Sequence, residues 1–586
     1  MPDKKLQKLE LTWIGKGDEP NLEPRILIEN SEYSYGDPDT ENMLIHGDNL
    51  LALKALEQDF AGKIKCIYID PPYNTGSAFE YYDDDLEHST WLNLMYQRVC
   101  VLKNLLSRDG FFACHIDDSE GQYLKVMLDE IFGRSNYLTT LYIRVRYPDK
   151  TLKQDMNFHK EIEQIHIYRK QFGAKPNLNE SQLSFDKFKF HIKELAKGRK
   201  TTIGGKKVII FEKGSFEIEK SKTGNEFGLK EIWASGSILD GNSSGRFFRD
   251  HLTGRYQEDG YGVLYKVYGI GEDRYDFRYF TGPQRIGATK GKYFQGVPTN
   301  KLESEHDTIF SPINNFYDLA SSFGNCRNEG GVDFRGGKKP EKLLEIILRH
   351  FSNEGDIVLD SFLGSGSTIA VSQKMKRKWI GVEMGDHIYS HVIPRLKGII
   401  GGRDKTGITH DVNWKGGGGF KFYTLAPSLL NEDKYGNWVI AKEYNAPMLA
   451  AAMAKQEGFR YQPHESIYWK QGRSSEQDFI FTTTQFITVE TQDRIHDEMQ
   501  PGESLLICCK AFQRGCKNKY TNITIKKIPQ MLLGKCEFGK EDYSLHIVDM
   551  PKEENEDEEE QENIPVQEIL KPKKKNKSGN QPSLFD

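Results

Sequence analysis

The sequence predicts an α/β protein built on a doubly wound mixed sheet, interrupted by an inserted α+β segment and followed by a small α/β piece. Three observations lead there. Short apolar runs such as Ile64–Ile69 and Asp356–Leu359 lack polar alternation, as strands buried on both faces do. Stretches of helical periodicity alternate with them, which is the pattern of βαβ units. The rhythm stops near residue 171 and resumes at Asp333. At 586 residues and 37% apolar content the chain is long enough for roughly three or four domains. The expected divisions are a lead-in over 1–42, one half of the sheet domain over 43–170, an insertion over 171–330, the other half over 331–425, a C-terminal piece over 426–550 and a charged tail over 551–586.

In chain order, Met43-Leu44-Ile45-His46 reads as a short strand that delivers Gly47-Asp48-Asn49 to a turn, and Leu50, Leu51, Leu53 and Leu56 then suggest an amphipathic helix. The strand through Ile69 follows and ends at Asp70-Pro71-Pro72-Tyr73, where two prolines forbid its continuation. Asp48 and Asp70 therefore belong to one sheet edge, and for Asp48 a helix cap and a ligand contact are both open. Ser89-Thr90 can cap a helix through Leu106, stopped by Asp109-Gly110. Phe111–Ile116 is the next strand, a helix spans Gln122–Phe132, and strands over Leu138–Val145 and Glu163–Tyr168 complete this half.

Residues 171–330 turn to short strands, many glycines and aromatics interleaved with basic residues, as in Arg246-Phe247-Phe248-Arg249. Composition alone allows solvated charge, and equally a surface that holds phosphates and stacks bases. After Pro340 a helix carries Leu343, Leu344, Ile347 and Phe351. A strand then reaches Asp360, and Phe362-Leu363-Gly364-Ser365-Gly366-Ser367-Thr368 leads into a helix over Ile369–Met375. The next strand ends at Glu383, 23 residues after Asp360, where an acid is placed to accept hydrogen bonds from ribose hydroxyls.

The glycine loop excludes some chemistries. It lacks the Gly-Lys-[Ser/Thr] of triphosphate binders and a third glycine spaced for a dinucleotide. A cofactor with a ribose and a small carboxylate fits better, and S-adenosylmethionine is the candidate. Methyl transfer to an exocyclic amine needs acceptors that orient the NH₂ group; Asp70 and a proline carbonyl supply them, and the Tyr73 ring offers a stacking face. Carbon methylation of cytosine would call for a cysteine after proline, and none of the 22 prolines precedes one.

The eight cysteines form no C-x-x-C pair, so a reduced cytoplasmic protein without a metal site is expected. There is no N-terminal apolar leader and no 18-residue apolar run, so neither a signal peptide nor a membrane span is expected. The tail from Glu553 to Asp586 holds ten acidic and five basic residues, net −5, which equals the formal charge of the whole chain. The remaining body is neutral, and DNA binding would need its positive charge collected on one face.

Asp70-Pro-Pro-Tyr73-Asn-Thr-Gly, with His46-Gly-Asp48-Asn before it and Asp360-Ser-Phe362-Leu-Gly364-Ser-Gly366-Ser-Thr368 long after it, resembles the β-order DNA adenine-N6 methyltransferases. The modification (Mod) subunits of type III restriction-modification systems are especially similar. The resemblance spans about residues 25–425 and implies a Rossmann-like, S-adenosylmethionine-dependent methyltransferase permuted with its catalytic half first. It implies catalysis at Asp70, Pro71, Pro72 and Tyr73, and cofactor contacts from Asp48, Asp360, Phe362, Gly364, Gly366, Ser367, Thr368 and Glu383. Lys339-Pro340 resembles the family's additional cofactor motif. It implies also that 171–330 is the target recognition domain for double-stranded DNA, and that a flipped adenine sits between Tyr73 and a wall that includes Phe158 and His159. Cytosine-N4 methylation stays open by mechanism. An RNA or protein-glutamine methyltransferase, or a DNA-recognition subunit without catalysis, is disfavoured by the permuted order and the intact motifs.

Residues 426–550 show a helix (Pro447–Gln456) and strands (Phe479–Thr482, Phe486–Val489, Ser504–Cys509) without chemistry of their own. In Mod-like proteins this region is available for a restriction (Res) subunit, a homodimer or DNA. The tail has eight acids between Glu553 and Glu562, then five lysines, a composition that cannot build a core. Its end, Gln581-Pro582-Ser583-Leu584-Phe585-Asp586, resembles the short peptide by which bacterial proteins bind the replication sliding clamp, with Gln581, Leu584 and Phe585 as the anchors. Deleting residues 581–586 should abolish retention on an immobilised clamp and leave methylation of short duplexes intact; undiminished retention would sink the idea.

Overall fold

The computed structural model describes residues 10–18, 20–73, 84–148, 158–182, 184–234, 243–288, 290–299, 308–334, 337–540 and 543, the side chains of 84–87, 181, 182, 243, 308 and 309 excepted. The tail with Gln581, Leu584 and Phe585 lies outside them.

Eleven strands make the central sheet. The first half supplies β1 (Leu27–Glu29), β2 (Tyr35–Gly36), β3 (Met43–His46), α1 (Asn49–Phe60), β4 (Ile64–Ile69), α2 (Asp84–Leu105), β5 (Leu106–Ile116), α3 (Gly121–Phe132), β6 (Tyr137–Arg144) and β7 (Ile162–Arg169). The second half supplies β8 (Phe316–Asp318), α4 (Glu341–Phe351), β9 (Ile357–Asp360), α5 (Ser367–Lys374), β10 (Lys378–Glu383), α6 (Ile393–Ile400) and β11 (Gly419–Leu425). Their order is β1-β11-β3-β10-β9-β4-β5-β7-β6-β8, with β2 paired to β11. From β11 to β5 all pairings are parallel, while β7 runs antiparallel to both β5 and β6. The sheet is thus doubly wound and mixed. Helices cover both faces through two cores, one around Trp91, Met95, Leu102 and Phe112 and one around Leu344, Ile347, Val358 and Val371.

The elements differ from the sequence expectation where local composition misleads. Helix α2 starts at Asp84, ahead of Ser89-Thr90, and hands over directly to β5 at Leu106. Asp109-Gly110 is no helix stop: Leu106 pairs with Ile64 and Phe111 with Cys66, so the residues between them are accommodated as an irregularity inside the strand. Helix α5 begins at Ser367 rather than Ile369. Strand β8 lies within 171–330 yet joins the main sheet by pairing with β6.

The rest of that insertion builds its own antiparallel six-stranded sheet from Arg199–Ile203, Lys206–Phe211, Leu264–Tyr268, Phe277–Thr281, Lys292–Gln295 and Lys230–Trp233. Phe247, Phe248, Tyr265 and Phe280 fill its core. Beyond β11, a helix over Ala446–Gln456 packs on a five-stranded sheet whose last three strands, Asp478–Ile487, Ser504–Phe512 and Ile523–Lys527, are parallel. The two strands expected at 479–482 and 486–489 are one strand with a register shift between Thr483 and Phe486. This piece docks on α1, where the half-buried Lys455 ammonium donates to the Ala55 carbonyl, and desolvation lowers that amine to about 8. Among the described residues no helix is long and apolar enough to cross a membrane, and no group of three or more His, Cys, Asp or Glu side chains could hold a metal.

A buried charge cluster fastens the second half together. Glu341, the first residue of α4, is fully buried and accepts from Lys374 Nζ at 2.6 Å and Arg395 Nη2 at 2.9 Å, and Lys374 also pairs with Asp404. Arg395 spends its other Nη on the Ser365 carbonyl and Ser367 Oγ, both at 3.0 Å. Removing one member of such a pair leaves a desolvated charge, which costs about 3–5 kcal/mol. Arg395→Ala should therefore lower the urea unfolding free energy by about that much, and a loss within error of zero would show that the cluster is not holding the fold.

Candidate active site

Strand β4 is fully buried along Cys66–Ile69 and stops where Pro71 and Pro72 leave the ladder. Val358 pairs with Cys66 and Leu359 with Ile67, so β9 delivers Asp360 beside β4 just short of Asp70. Strand β10 brings Glu383 to the same edge, and β7, running the other way, presents its first residues there. The edge thus gathers carboxylates from three parallel strands and one from the antiparallel strand.

Asp70 heads a compact network. Its Oδ1 accepts from the Tyr73 hydroxyl at 2.8 Å, and Lys339 Nζ lies 3.0 Å from Oδ2. The Lys339 ammonium also sits 4.8 Å above the Tyr73 ring. Glu163 approaches both donors, at 3.1 Å from the Tyr73 hydroxyl and 3.8 Å from Lys339. Behind it His115 Nε2 is 2.8 Å away, and the other ring nitrogen meets the Tyr68 hydroxyl at 2.8 Å. Burial alone would raise the Glu163 carboxyl, but Lys339 and His115 outweigh it and hold it at about 2. Burial would likewise lower Lys339, and the facing Asp70 and Glu163 raise it instead. Burial together with the two acids pushes the Tyr73 phenol well above its ordinary value. The Pro72 carbonyl is taken by the Trp91 indole at 2.8 Å.

The glycine loop is built by its own hydrogen bonds. Gly364 (φ +53°) and Gly366 (φ +77°) occupy the left-handed region, which a side chain would strain. Glu383 accepts from the Gly364 amide at 2.7 Å and the Gly385 amide at 2.8 Å, and His387 beside it is raised by that carboxylate. Asp360 accepts from the Phe362 amide at 3.0 Å and is bonded by Thr368. Burial raises the Asp360 carboxyl to about 7 against those bonds, with Asp70 and Glu383 adding to the rise. Next to it the Ser361 hydroxyl is buried and has no hydrogen-bond partner in the structure.

Asp70, Pro71, Pro72, Tyr73, Asp360, Phe362, Gly364, Gly366, Thr368 and Glu383 therefore share one sheet edge. The other five expected residues are placed as follows, Asp48 in the cap role that the sequence left open. Lys339 meets Asp70 and not the glycine loop, because it precedes α4 on the far side of β4. Asp48 is 3% exposed and caps α1, accepting from the Leu51 amide at 3.0 Å, with its other oxygen near Arg98 and the Tyr543 amide. Ser367 accepts from Arg395. Phe158 is 85% exposed and walls nothing among the described residues, while His159 bonds the Tyr147 carbonyl at 2.8 Å.

Beside Asp70 lies instead a cleft of about 500 Å³ that shares Glu163 and Lys339 with the network and is lined by Tyr147, Phe323, Cys326, Arg327 and Phe334. Sequence reasoning passed over Glu163, His115, Glu341 and Arg395. A polar residue entering the apolar run Ile165–Tyr168, and an imidazole inside Phe111–Ile116, were the only traces of the first two.

The DNA methylase family model (N6_N4_Mtase) matches residues 64–393, from the start of β4 into α6. The probable type III restriction-modification enzyme HindVI Mod subunit of Haemophilus influenzae is 32% identical over 427 residues, covering 68% of this chain and 56% of the relative. The type III restriction-modification enzyme EcoPI Mod subunit of Escherichia phage P1 is 25% identical over 416 residues, covering 62% and 60% respectively. The type II methyltransferase M.BamHI of Bacillus amyloliquefaciens is 58% identical over 45 residues, 8% of this chain and 11% of the relative. The chain spans little more than half the length of the Mod subunits it matches. Since the matched span takes in more than half of the 586 residues and runs from the Asp70 strand through the glycine loop, the chain belongs to the DNA methylase family.

Proposed function

We propose that this protein is a sequence-specific DNA methyltransferase that methylates adenine N6 in double-stranded DNA with S-adenosylmethionine, as the modification half of a restriction-modification pair. The observation that carries this reading is the adjacency of Asp70-Pro71-Pro72-Tyr73 and the Asp360–Thr368 loop on neighbouring parallel strands. The donor set suits the cofactor: a glycine cradle, the Glu383 carboxylate for ribose hydroxyls, the Phe362 ring, and the orphaned Ser361 hydroxyl beside a half-neutral Asp360. S-adenosylmethionine supplies an electrophilic methyl group on a sulfonium.

The chain's own residues do the rest. Asp70 and the Pro71 carbonyl accept the two N–H bonds of the amine, which turns its lone pair toward the cofactor edge. The proton made surplus when the amine is methylated would leave through the Asp70 carboxylate to solvent. Tyr73 stacks on the extruded base, and the cleft lined by Tyr147, Phe323 and Phe334 receives it. The insertion grips DNA through pairs such as Lys292 over the exposed Trp233 (4.8 Å) and Arg274 over the exposed Phe227 (4.1 Å). Adenine is preferred to cytosine N4 because the Mod relatives cover most of the chain.

Two tests apply. Incubation with labelled S-adenosylmethionine and DNA, RNA or protein should place label in DNA adenine, and Asp70→Ala should abolish it by a factor of about 10³ or more; transfer indifferent to Asp70, or label in cytosine, would refute the assignment. The second concerns stability. Asp360 is raised to about 7 in the folded chain, against about 3.9 when unfolded, so the folded state holds the extra proton between those values. Its contribution therefore weakens folding progressively as the pH rises from about 4 to 7. Asp360→Asn should flatten that part of the melting-temperature profile, and an unchanged slope would show that Asp360 titrates normally.

A further inference from the structure

Both oxygens of Asp70 are occupied before any amine arrives, one by the Tyr73 hydroxyl at 2.8 Å and the other by Lys339 at 3.0 Å. An amine that donates to Asp70 Oδ1 from the Tyr73 side competes with the hydroxyl for that oxygen. A buried hydroxyl left without an acceptor is unfavourable, so the displacement needs a second acceptor already in place. Glu163 is that group in position and in chemistry: its Oε2 is 3.1 Å from the Tyr73 hydroxyl and 3.8 Å from the Lys339 ammonium. It comes from β7, a strand separate from both motifs, and His115 Nε2 lies 2.8 Å behind it, with the other ring nitrogen bonded to Tyr68.

We propose that Glu163 is a positioning residue that takes over the Tyr73 hydroxyl when the target amine claims Asp70, keeping the ring stacked and the Asp70 oxygen free. Lys339, shared between the two carboxylates, balances the charge in both arrangements. The lowered carboxyl of Glu163 agrees with this, since the group stays an ionised acceptor at any working pH. The exchange leaves no donor unpaired: the Tyr73 hydroxyl passes from Asp70 to Glu163, and the amine takes the place it leaves.

The inference rests on the methyl-transfer reading, and one set of single-turnover rates separates the two. Labelled S-adenosylmethionine and DNA from a methylation-deficient host are used with the full chain. Glu163→Ala should slow transfer by about tenfold or more with cofactor binding unchanged, and any loss of melting temperature should be the same in the two backgrounds compared below. In a Tyr73→Phe background, which has no hydroxyl to re-house, the same replacement should slow it by less than about threefold. Glu163→Gln keeps an acceptor oxygen and should retain most of the rate. Equal losses from Glu163→Ala in both backgrounds, or a Gln variant as slow as the Ala variant, would overturn the role of Glu163. No transfer by the unaltered protein would instead overturn the methyl-transfer reading itself.

Discussion

The pairing of β9 with β4, Val358 to Cys66 and Leu359 to Ile67, is the contact on which the site depends. Parallel strands point their carboxyl ends the same way, so a single register fixes Asp360 relative to Asp70 although 290 residues separate them in sequence. A slip of one residue would turn the inward side chains of β9 to the opposite face and unseat Val358 from the core beneath α4. The insertion between the halves can therefore be long and carry its own core. It has only to return the chain to the sheet in register.

Much of this was legible in the sequence, and the reasons are local. Ile64–Ile69, Ile357–Asp360 and the Gly364-Ser365-Gly366 turn state their conformations through composition, and an acid-proline-proline-aromatic at a strand end states its chemistry. What was missed lies in tertiary geometry. Glu163 sits only on the antiparallel member of a mixed sheet, and nothing in residues 160–168 announces the direction of that strand. Lys339 was read as a cofactor contact because Lys339-Pro340 resembles the family's additional cofactor motif, yet β9 neighbours β4, and Lys339, ahead of α4, falls over Asp70. The helix Val489–Glu498 shows no apolar stripe because Gln492 and Ile495 are the residues it buries.

The site and its scaffold use charge in different ways. At Asp70 and Glu163 two carboxylates share one ammonium and one phenol, an arrangement with more acceptors than donors that can accommodate another N–H. Around Glu341 both carboxylate oxygens are taken by buried cations, which suits a joint between the start of α4 and the glycine loop. The Lys339–Asp70 contact and the loop are thus braced from the two sides of one buried residue.

The closed cluster also divides the protein's response to ionic strength. Ions in solution screen charges they can approach, over about 8 Å at physiological salt. Glu341, Lys374 and Arg395 are wholly withdrawn from them, whereas cations such as Lys193, Arg199 and Arg249 on the insertion stand in solvent. Added salt accordingly weakens the ion pairs at the surface of the insertion while the glycine loop keeps its shape, so cohesion there and integrity of the loop are tuned by separate variables within one chain.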